Sequence, residues 1–308
     1  MCWSTNRRMR SAIGIDIGGT NFRIGWVRED GAVLCSDKKP SKALGEGGKA
    51  ADLLAGEIRA FMDANEVRDA RAIGIGFPAP VCADGKRVFP CPNLKNTDEG
   101  FDGIDVVSRL EGLGLPVAIA KDTDMLLQAE IMERHTGPQD IVTAFYFGTG
   151  VGNSVYYRGS LLRGAHGSGC DAGHIPVLGG MRTCGCGKKG CIECYASGAY
   201  LVSLWKERFA DCALADLFRV HKGARELAAF VEACAIPVAA EVAIFDPTLV
   251  ILGGGILEMD HFPYKELTGK IYEHVKKPYP AENMVIERAA AADAGIRGAA
   301  WYALSHAL

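Results

Sequence analysis

The 308-residue sequence predicts an α/β protein with two domains. The chain is longer than one hydrophobic core comfortably serves, so two domains are expected. Short apolar strand patterns are separated by segments with helical spacing of apolar residues. One plan of strand, glycine turn, strand, turn and strand begins near residue 12 and occurs again near residue 141. That repetition suggests an internal duplication, with one copy of the plan in each domain.

Each element follows from a local pattern. Short runs rich in β-branched or aromatic residues and bounded by turn residues predict strands, at 12–17, 22–28, 32–36, 72–77, 117–120, 141–147, 154–157, 160–162, 249–252 and 285–289. Apolar residues at helical spacing predict helices, at 49–65, 104–110, from 123 onward, 224–245 and 294–308. Residues 37–48 are predicted as a loop, and Pro237 is expected to interrupt its helix.

Bulk composition narrows the function. The chain is 48% hydrophobic and 23% charged, which is ordinary for a soluble protein. A net charge of −3 gives no electrostatic reason to expect nucleic acid or anionic membrane as a partner. No apolar run is expected to reach membrane-spanning length, and Asp16 interrupts the first one, against a secretory signal. Eleven cysteines without even spacing indicate a reducing, cytoplasmic setting and a metal site, not a disulfide framework.

A cluster of thiols and one imidazole predicts a zinc site. Cys184, Cys186 and Cys191 form a C-x-C-x4-C motif with interleaved glycines, and His174 precedes them by ten residues. Thiolate and imidazole suit tetrahedral Zn²⁺, and four protein ligands leave no open position, so the site would be structural. Cys194 is an alternative fourth ligand. His174 is favoured because a metal-bound imidazole keeps a second nitrogen for orientation or binding.

Two glycine-rich turns could bind phosphate. Gly18-Gly19-Thr20 follows Asp16, and Gly148-Thr149-Gly150-Val151-Gly152 follows the strand at 141–147. Exposed backbone N–H groups and a hydroxyl at such turns bind phosphate oxygens. Neither turn matches a P-loop or a dinucleotide fingerprint, and each alone is equally typical of a hairpin. Together they suggest a nucleotide between the two domains, with Asp16 orienting Mg²⁺ and Gly253-Gly254-Gly255 beside the adenosine.

Asp122 is the candidate general base. It follows the strand at 117–120, and ligands of open α/β sheets collect at the carboxyl ends of the strands. A carboxylate there can accept the proton of an attacking hydroxyl. Asp124 could take this role instead, and Asp122 could also be only the N-cap of the helix that begins at Thr123.

Three polar side chains flank the predicted zinc site. Asp171, His174 and Glu193 would be held at fixed distances and could bind several hydroxyls of a sugar. The alternative is that they only orient metal ligands.

These motifs resemble the ROK family (repressors, open reading frames and kinases) over essentially the whole chain. The residues that carry the resemblance are the segment 14–21, Asp122, the turn at 148–152, Gly173-His174 and the cysteine motif at 184–193. The resemblance implies the actin-like ATPase fold, with two α/β domains around an interdomain cleft. It implies ATP-dependent phosphorylation of a hexose, usually at the 6-hydroxyl, with ATP, Mg²⁺ and a structural Zn²⁺.

The resemblance also assigns roles. It implies Asp122 as the base and a zinc bound by His174, Cys184, Cys186 and Cys191. The implied sugar contacts are Asn93, Lys121, Asp122, Asp171, His174 and Glu193. The implied nucleotide contacts are Asp16, Gly18, Gly19, Thr20, Asn21, Gly148, Thr149, Gly150, Gly152 and Gly253 to Gly255. The expected domains are 1–120, joined by a terminal helix at 296–308, and 121–295, and a homodimer is expected.

Departures from the family pattern bear on the substrate. Lys121 stands where the family's glucokinases usually have asparagine, and Asp171 where they usually have glutamate. Because these two side chains differ in length and charge from the usual residues, they should change which sugar epimer fits. With the segments 76–79, 92–94, 164–167, 173–176 and 245–247, these features resemble members that use D-allose. We therefore expect D-allose as substrate; glucose, fructose or an N-acylmannosamine is the alternative.

A second class of function stays open. Some family members are repressors with an N-terminal DNA-binding module. The first predicted strand begins at Ala12, which favours the enzyme. A non-catalytic sugar sensor would keep the sugar pocket without consuming ATP.

Overall fold

The computed structural model describes residues 9–45, 49–89 and 100–307. These residues form two compact units. The first contains the described residues up to His135, together with Arg163–Gly169 and the residues from Ala291 onward. The second contains Thr136–Leu162 and Cys170–Ala290. This division differs from the predicted domain boundaries, because the residues between 121 and His135 belong to the first unit.

The regular elements follow the predicted order. The strands are β1 (Ser11–Ile17), β2 (Asn21–Arg28), β3 (Val33–Pro40), β4 (Ala70–Phe77), β5 (Val117–Lys121), β6 (Ile141–Phe147), β7 (Val151–Tyr157), β8 (Ser160–Leu161), β9 (Leu249–Gly253) and β10 (Val285–Arg288). The α-helices are α1 (Ala50–Ala64), α2 (Val106–Leu110), α3 (Asp122–Glu133), α4 (Glu193–Ala196), α5 (Gly198–Arg208), α6 (Leu217–Val220), α7 (Arg225–Phe245), α8 (Tyr264–His274) and α9 (Ala294–His306).

Each unit contains one five-stranded mixed sheet, and the two sheets have the same plan. The order is β3-β2-β1-β4-β5 in the first unit and β8-β7-β6-β9-β10 in the second. β1, β2 and β3 form an antiparallel meander, as do β6, β7 and β8. β4 and β5 run parallel to β1, and β9 and β10 run parallel to β6. The repeated plan predicted from the sequence is therefore present in the sheet topology.

Helix α9 packs unusually close to its neighbours in the first unit. It lies against β1, β4 and α3. A Cβ atom at Gly14 or Gly74 would lie 1.8 Å from a carbonyl oxygen of α9. A Cβ at Gly298 of α9 would lie 1.7 Å from the carbonyl oxygen of Met125 in α3. Because a side chain cannot occupy these positions, glycine allows the backbones to approach, and α9 joins the sheet to α3.

Helix α7 is a core element of the second unit. It packs on α8, α4 and β6, and its inward side chains include Phe230, Val238 and Val242. At 21 residues it is long and apolar enough to cross a membrane by length and composition alone, although 61% of its most apolar stretch is buried in the unit. The expectation that no apolar run reaches that length is wrong for α7. The mean hydropathy of the stretch is 1.9 even though it contains charged residues, so it still satisfies the length and composition of a membrane span.

Two local predictions need correction. The segment predicted as a loop after Ser36 continues as β3 to Pro40 and then forms a 3₁₀ turn, Ser41–Leu44. Pairing with β2 explains this, because tertiary hydrogen bonds override the weak strand pattern of charged residues. Helix α7 is not interrupted at Pro237, which lies inside it and is buried. The missing N–H removes one helical bond, and apolar burial on neighbouring turns offsets that loss.

Candidate active site

The predicted site residues that the structure describes form two groups, one in each unit. In the first unit, Asp16 lies near the end of β1 and Asp122 is the first residue of α3, directly after β5. Both strands run parallel to β4, with Asp16 opposite Gly76 and Lys121 opposite Phe77. The carboxyl ends of the three strands therefore share one edge of the sheet, and the two carboxylates lie at that edge.

Burial and mutual repulsion perturb these carboxylates. The pKa of Asp122 is raised from 3.8 to about 7, chiefly by burial and next by the negative charge of Asp16. The Thr123 N–H, which donates to Asp122 Oδ1 over 2.7 Å, and the charge of Lys121 oppose this rise. Burial also raises the pKa of Asp16, and Arg23 opposes it. Asp122 keeps some exposed surface, so an external group can still reach it.

The alternatives for Asp122 are less well supported by the geometry. Asp124 is only 5% exposed, so a substrate hydroxyl has less access to it. The N-cap of α3 is Lys121, and Asp122 is the first helical residue. The Asp122 carboxylate does accept an N–H of the first turn, yet it retains a second oxygen for other partners.

The beginning of α9 determines where the Asp16 carboxylate can lie. A Cβ at Gly295 would lie 2.3 Å from Asp16 Oδ2, so only glycine leaves room for that oxygen. Arg23, opposite Asp16 on β2, forms an ion pair of 2.9 Å with Asp293, the N-cap of α9. One basic side chain thus lies close to two carboxylates. The Asp16 carboxylate offers the oxygen ligands that Mg²⁺ prefers, whereas the charge of Arg23 opposes a cation there.

The first glycine turn is tied back by Ser41. Its hydroxyl donates to the Gly18 carbonyl oxygen over 2.6 Å, and its N–H donates to the Thr20 carbonyl oxygen over 2.9 Å. Gly19 and Thr20 are exposed. Carbonyls bound on the inner side leave an exposed turn that can offer N–H groups to an anion. Sequence reasoning missed Ser41 because the segment around it was predicted as a loop.

The second turn has the same kind of support from α5. The N–H groups of Gly198 and Ala199 donate to the carbonyl oxygens of Gly148 and Thr149 over 2.8 and 3.1 Å. A Cβ at Gly198 would lie 2.6 Å from the Gly148 oxygen, so glycine is required for this approach. Sequence reasoning missed both donors.

Two further predicted nucleotide residues have defined places in the second unit. Gly152 does not belong to the turn: it lies in β7, opposite Tyr146 of β6. Gly254 follows β9 with φ +99°, and a Cβ there would lie 2.5 Å from the backbone of Phe147. The glycines at 253–255 therefore lie next to the start of the second turn.

The structure brings together the predicted metal ligands. The ligand atoms of His174, Cys184, Cys186 and Cys191 lie within 4.8 Å of one another. Cys184 Sγ is 3.6 Å from His174 Nδ1, and Cys186 Sγ is 3.6 Å from Cys191 Sγ. A tetrahedron with Zn–S bonds of about 2.3 Å has edges of about 3.8 Å, so the set fits Zn²⁺. Cys194 is not in this group.

The thiols of the cluster are not alike. Burial raises the pKa of Cys184 and Cys191, while the Lys188 N–H lowers the pKa of Cys186. A bound cation favours thiolates, so it would offset the cost of ionising the two buried thiols.

The candidate sugar-binding side chains lie around this cluster. His174 Nδ1 is directed to Cys184, and its Nε2 lies 3.7 Å from Asp171 Oδ2, an electrostatic contact longer than a hydrogen bond. Lys188 Nζ donates to the His174 carbonyl oxygen over 2.8 Å. Glu193 Oε2 accepts the Val151 N–H over 3.0 Å. The cluster and β7 thus hold an imidazole and a carboxylate, with a second carboxylate beside them.

Asn93, the remaining predicted sugar contact, lies outside the described residues. A second group of potential ligand atoms within the described chain contains Asp211, Cys212 and His221. Asp211 is 67% exposed and already pairs with His221 over 3.0 Å. We assign no metal to it.

This chain is similar to known proteins over most of its length. The model of the ROK family matches residues 12–306. The glucokinase of Thermotoga maritima is 28% identical, over 94% of this chain and 95% of its own length. The N-acetyl-D-glucosamine kinase of Pasteurella multocida is 25% identical, over 95% and 99%.

A solved structure extends the likeness to the fold. The ROK family glucokinase from Streptomyces griseus, in complex with glucose and AMPPNP, superposes with a TM-score of 0.77 at 25% identity, over 96% of this chain and 99% of that one. The chain belongs to the ROK family. Its two mixed-sheet units have the actin-like ATPase fold of the ROK sugar kinases, as predicted.

Proposed function

We propose that this chain is an ATP-dependent hexose kinase that phosphorylates the 6-hydroxyl of D-allose, giving D-allose 6-phosphate, with Asp122 as general base. The observation that carries the proposal is the Asp122 carboxylate, which lies at the carboxyl edge of the first sheet with a pKa of about 7. Family membership and relatives named as glucokinase and N-acetyl-D-glucosamine kinase support a sugar kinase.

The base role follows from acid–base chemistry. A general base works best when its pKa lies near the working pH, since it is then both ionised and basic. Asp122 would accept the proton of the 6-hydroxyl as the phosphoryl group is transferred to that oxygen. Lys121 and the Thr123 N–H would stabilise the carboxylate before it accepts the proton.

Nucleotide binding would use both glycine turns. Their carbonyls are bound on the inner side by Ser41 and by Gly198 and Ala199. The N–H groups of Gly19, Thr20 and Asn21 and of Thr149 and Gly150 are candidates for phosphate oxygens. Those of Gly18 and Gly148 already donate to the carbonyl oxygens of Asn21 and Gly150 within the turns. Gly253 to Gly255 would let the adenosine approach the backbone. Asp16 would hold Mg²⁺, which would supply positive charge to neutralise the phosphates.

Sugar recognition would fall to Asp171, His174 and Glu193, together with Lys121 and Asn93. A zinc ion held by His174, Cys184, Cys186 and Cys191 would have a structural role, because all four positions are protein ligands. The fit of those four ligand atoms supports this assignment. We include a homodimer in the proposal, and sedimentation equilibrium tests it.

The choice of sugar depends on two positions. Lys121 and Asp171 change charge and reach beside the sugar relative to the pattern of the family's glucokinases, which favours a different epimer. D-Glucose is the second candidate, because the relative from Thermotoga maritima is named a glucokinase.

A coupled assay of ADP release tests the proposal. The panel contains D-allose, D-glucose, D-fructose, N-acetyl-D-mannosamine and N-acetyl-D-glucosamine. We expect the highest kcat/KM with D-allose and product phosphorylated at oxygen 6 by NMR. Asp122→Asn should lower kcat by about 10²- to 10⁴-fold and leave the sugar Kd nearly unchanged.

Three results would contradict parts of the proposal. Sugar binding without ADP release from any hexose would favour the non-catalytic sensor. An unchanged kcat in Asp122→Asn would remove Asp122 from the mechanism. A higher kcat/KM for D-glucose would overturn D-allose alone.

A further inference from the structure

A buried polar pair lies behind the sugar-binding turn of the second unit. Asn153 of β7 is 1% exposed and Glu241 of α7 is 4% exposed. Asn153 Nδ2 donates to Glu241 Oε1 over 2.5 Å, although 88 residues separate them. The other inward side chains of α7 are mostly apolar, so a carboxylate among them is unusual. Burying a carboxylate is costly unless it is hydrogen-bonded, so the pair calls for an explanation.

The pair continues to the turn that carries Asp171 and His174. Asn153 Oδ1 accepts the N–H of Ala172 over 2.7 Å. Ala172 begins the 3₁₀ turn Ala172–His174, and Asp171 is its N-cap. The carboxylate of Glu241 can only accept from the amide nitrogen, which directs the amide oxygen to Ala172. Glu241 and the Ala172 N–H therefore favour the same orientation of the Asn153 amide, which connects α7 to the turn.

Two further contacts make β7 the common reference for the site. A Cβ at Gly173 would lie 2.5 Å from the Val151 carbonyl oxygen, so the turn packs directly on the strand. The Val151 N–H donates to Glu193 Oε2 over 3.0 Å. The backbone of Val151, at the start of β7, thus contacts both the segment of Asp171 and His174 and the Glu193 carboxylate.

We infer that Asn153 and Glu241 are positioning residues for the sugar site. They hold the Ala172 N–H and so set where Asp171 and His174 present their polar atoms. The inference rests on the proposed function, in which these side chains bind the hexose. Neither Asn153 nor Glu241 is placed among the groups that contact the substrate. Their effect should appear in sugar affinity and not in the chemical step.

The test compares Asn153→Ala, Glu241→Gln and Glu241→Leu with the wild-type protein. Asn153→Ala should raise KM and Kd for the hexose at least about tenfold, with KM for ATP and kcat at saturating sugar changed by less than about threefold. Glu241→Gln keeps an acceptor for Nδ2 and should remain within about threefold of wild type. Glu241→Leu fills a similar volume without an acceptor, so its KM and Kd for the hexose should rise, but by less than in Asn153→Ala. This variant keeps the test available if Asn153→Ala does not fold.

Thr143→Val is the matched control. Thr143 lies on β6 of the same sheet, is fully buried, and its hydroxyl has no hydrogen-bond partner among the described residues. Removing that hydroxyl changes a buried polar atom without touching the turn. Its sugar KM should equal the wild-type value.

Amide hydrogen exchange of Ala172 separates this inference from the proposed function. Protection of the Ala172 N–H should fall at least about tenfold in Asn153→Ala and persist in Glu241→Gln. Unchanged protection, an unchanged sugar KM, or equal rises in KM for sugar and ATP would each overturn the positioning role. If the wild-type protein binds no hexose, the proposed function fails, while the exchange result still decides whether the pair holds the turn.

Discussion

The two glycine turns are built alike but supported differently. In the first unit, one residue, Ser41, binds the carbonyl oxygens of both Gly18 and Thr20. In the second unit, two successive N–H groups at the start of α5 bind the carbonyl oxygens of Gly148 and Thr149. In both cases the inner carbonyls have partners and the turn can present N–H groups outward. A similar support of the turn carbonyls is therefore obtained from one serine in the first unit and from a helix start in the second.

The surroundings of the turns differ more than the turns themselves. The first lies beside Asp16, whose carboxylate is positioned by the close packing of α9 at Gly295. The second lies beside Glu193, whose Oε1 is 3.9 Å from Cys184 of the ligand cluster. The first unit depends on close backbone contacts of α9 that exclude side chains. The second depends on a set of four side chains that fits a metal ion. Substitutions can remove the glycine contacts and the metal ligands separately.

Removing the metal ligand set should have the largest effect. Cys191 is fully buried in the cluster, so Cys191→Ser would leave a weaker ligand in an apolar place. We expect loss of bound zinc and a destabilisation of the second unit of at least about 3 kcal/mol. Metal content by plasma mass spectrometry and urea denaturation measure both.

Cys212→Ser is the control for this change, because Cys212 belongs to the second unit but not to that ligand set. It should retain one zinc per chain and nearly wild-type stability. Wild-type protein purified without chelators and free of zinc would falsify the metal assignment, whatever the stability of the variants.

Breaking the glycine packing should have a smaller effect, on the first unit. Gly298→Ala would put a Cβ 1.7 Å from the Met125 carbonyl oxygen, which forces α9 away from α3. We expect a loss of about 2–4 kcal/mol in the free energy of unfolding of that unit. Denaturant titration followed by hydrogen exchange in α3 and α9 measures it.

Gly56→Ala provides the matched control in the same unit. Gly56 lies inside α1, is exposed, and a Cβ there would meet nothing within 4 Å. Alanine lowers the entropy of the unfolded chain, so this variant should gain about 0.5–1 kcal/mol. Equal effects of the two substitutions would mean that the α9 contact is looser than its geometry indicates.

The sequence predicted the features that depend on near neighbours. The ligand motif was predictable because three cysteines lie within eight residues, and the glycine turns because each follows a strand. The bond from Ser41 to Gly18 was not predictable, since it spans 23 residues and the segment has no apolar pattern. The pair of Asn153 and Glu241 is farther apart still, and only the packing of α7 on the sheet brings them together.

Electrostatics also lay beyond the sequence. The position of Asp122 after a strand indicated a candidate base, but its pKa depends on how deeply the carboxylate is surrounded and on its distance from Asp16. Both quantities arise from packing between β1, β5 and α9. The assignment of Asn93 to the sugar site stays a prediction.

The smallest expected effect concerns the pH dependence of stability in the first unit. Unfolded Asp122 has a pKa of about 3.9, and the folded value is about 7. Between these values the folded state binds a proton that the unfolded state has released, so stability falls as pH rises from about 4 to about 7 and is then level. If the whole pKa shift acted on stability, the free energy of unfolding would fall by about 4 kcal/mol, and residual solvent access should reduce this loss to about 1–3 kcal/mol.

Asp122→Asn removes this pH-dependent loss, so the variant should gain stability relative to wild type as pH rises from 4.5 to 8. Asp63→Asn, on the exposed face of α1, should not. Urea denaturation of the nucleotide-free proteins at both pH values measures the difference. A constant difference between Asp122→Asn and wild type would show that Asp16 and burial do not hold a proton on Asp122.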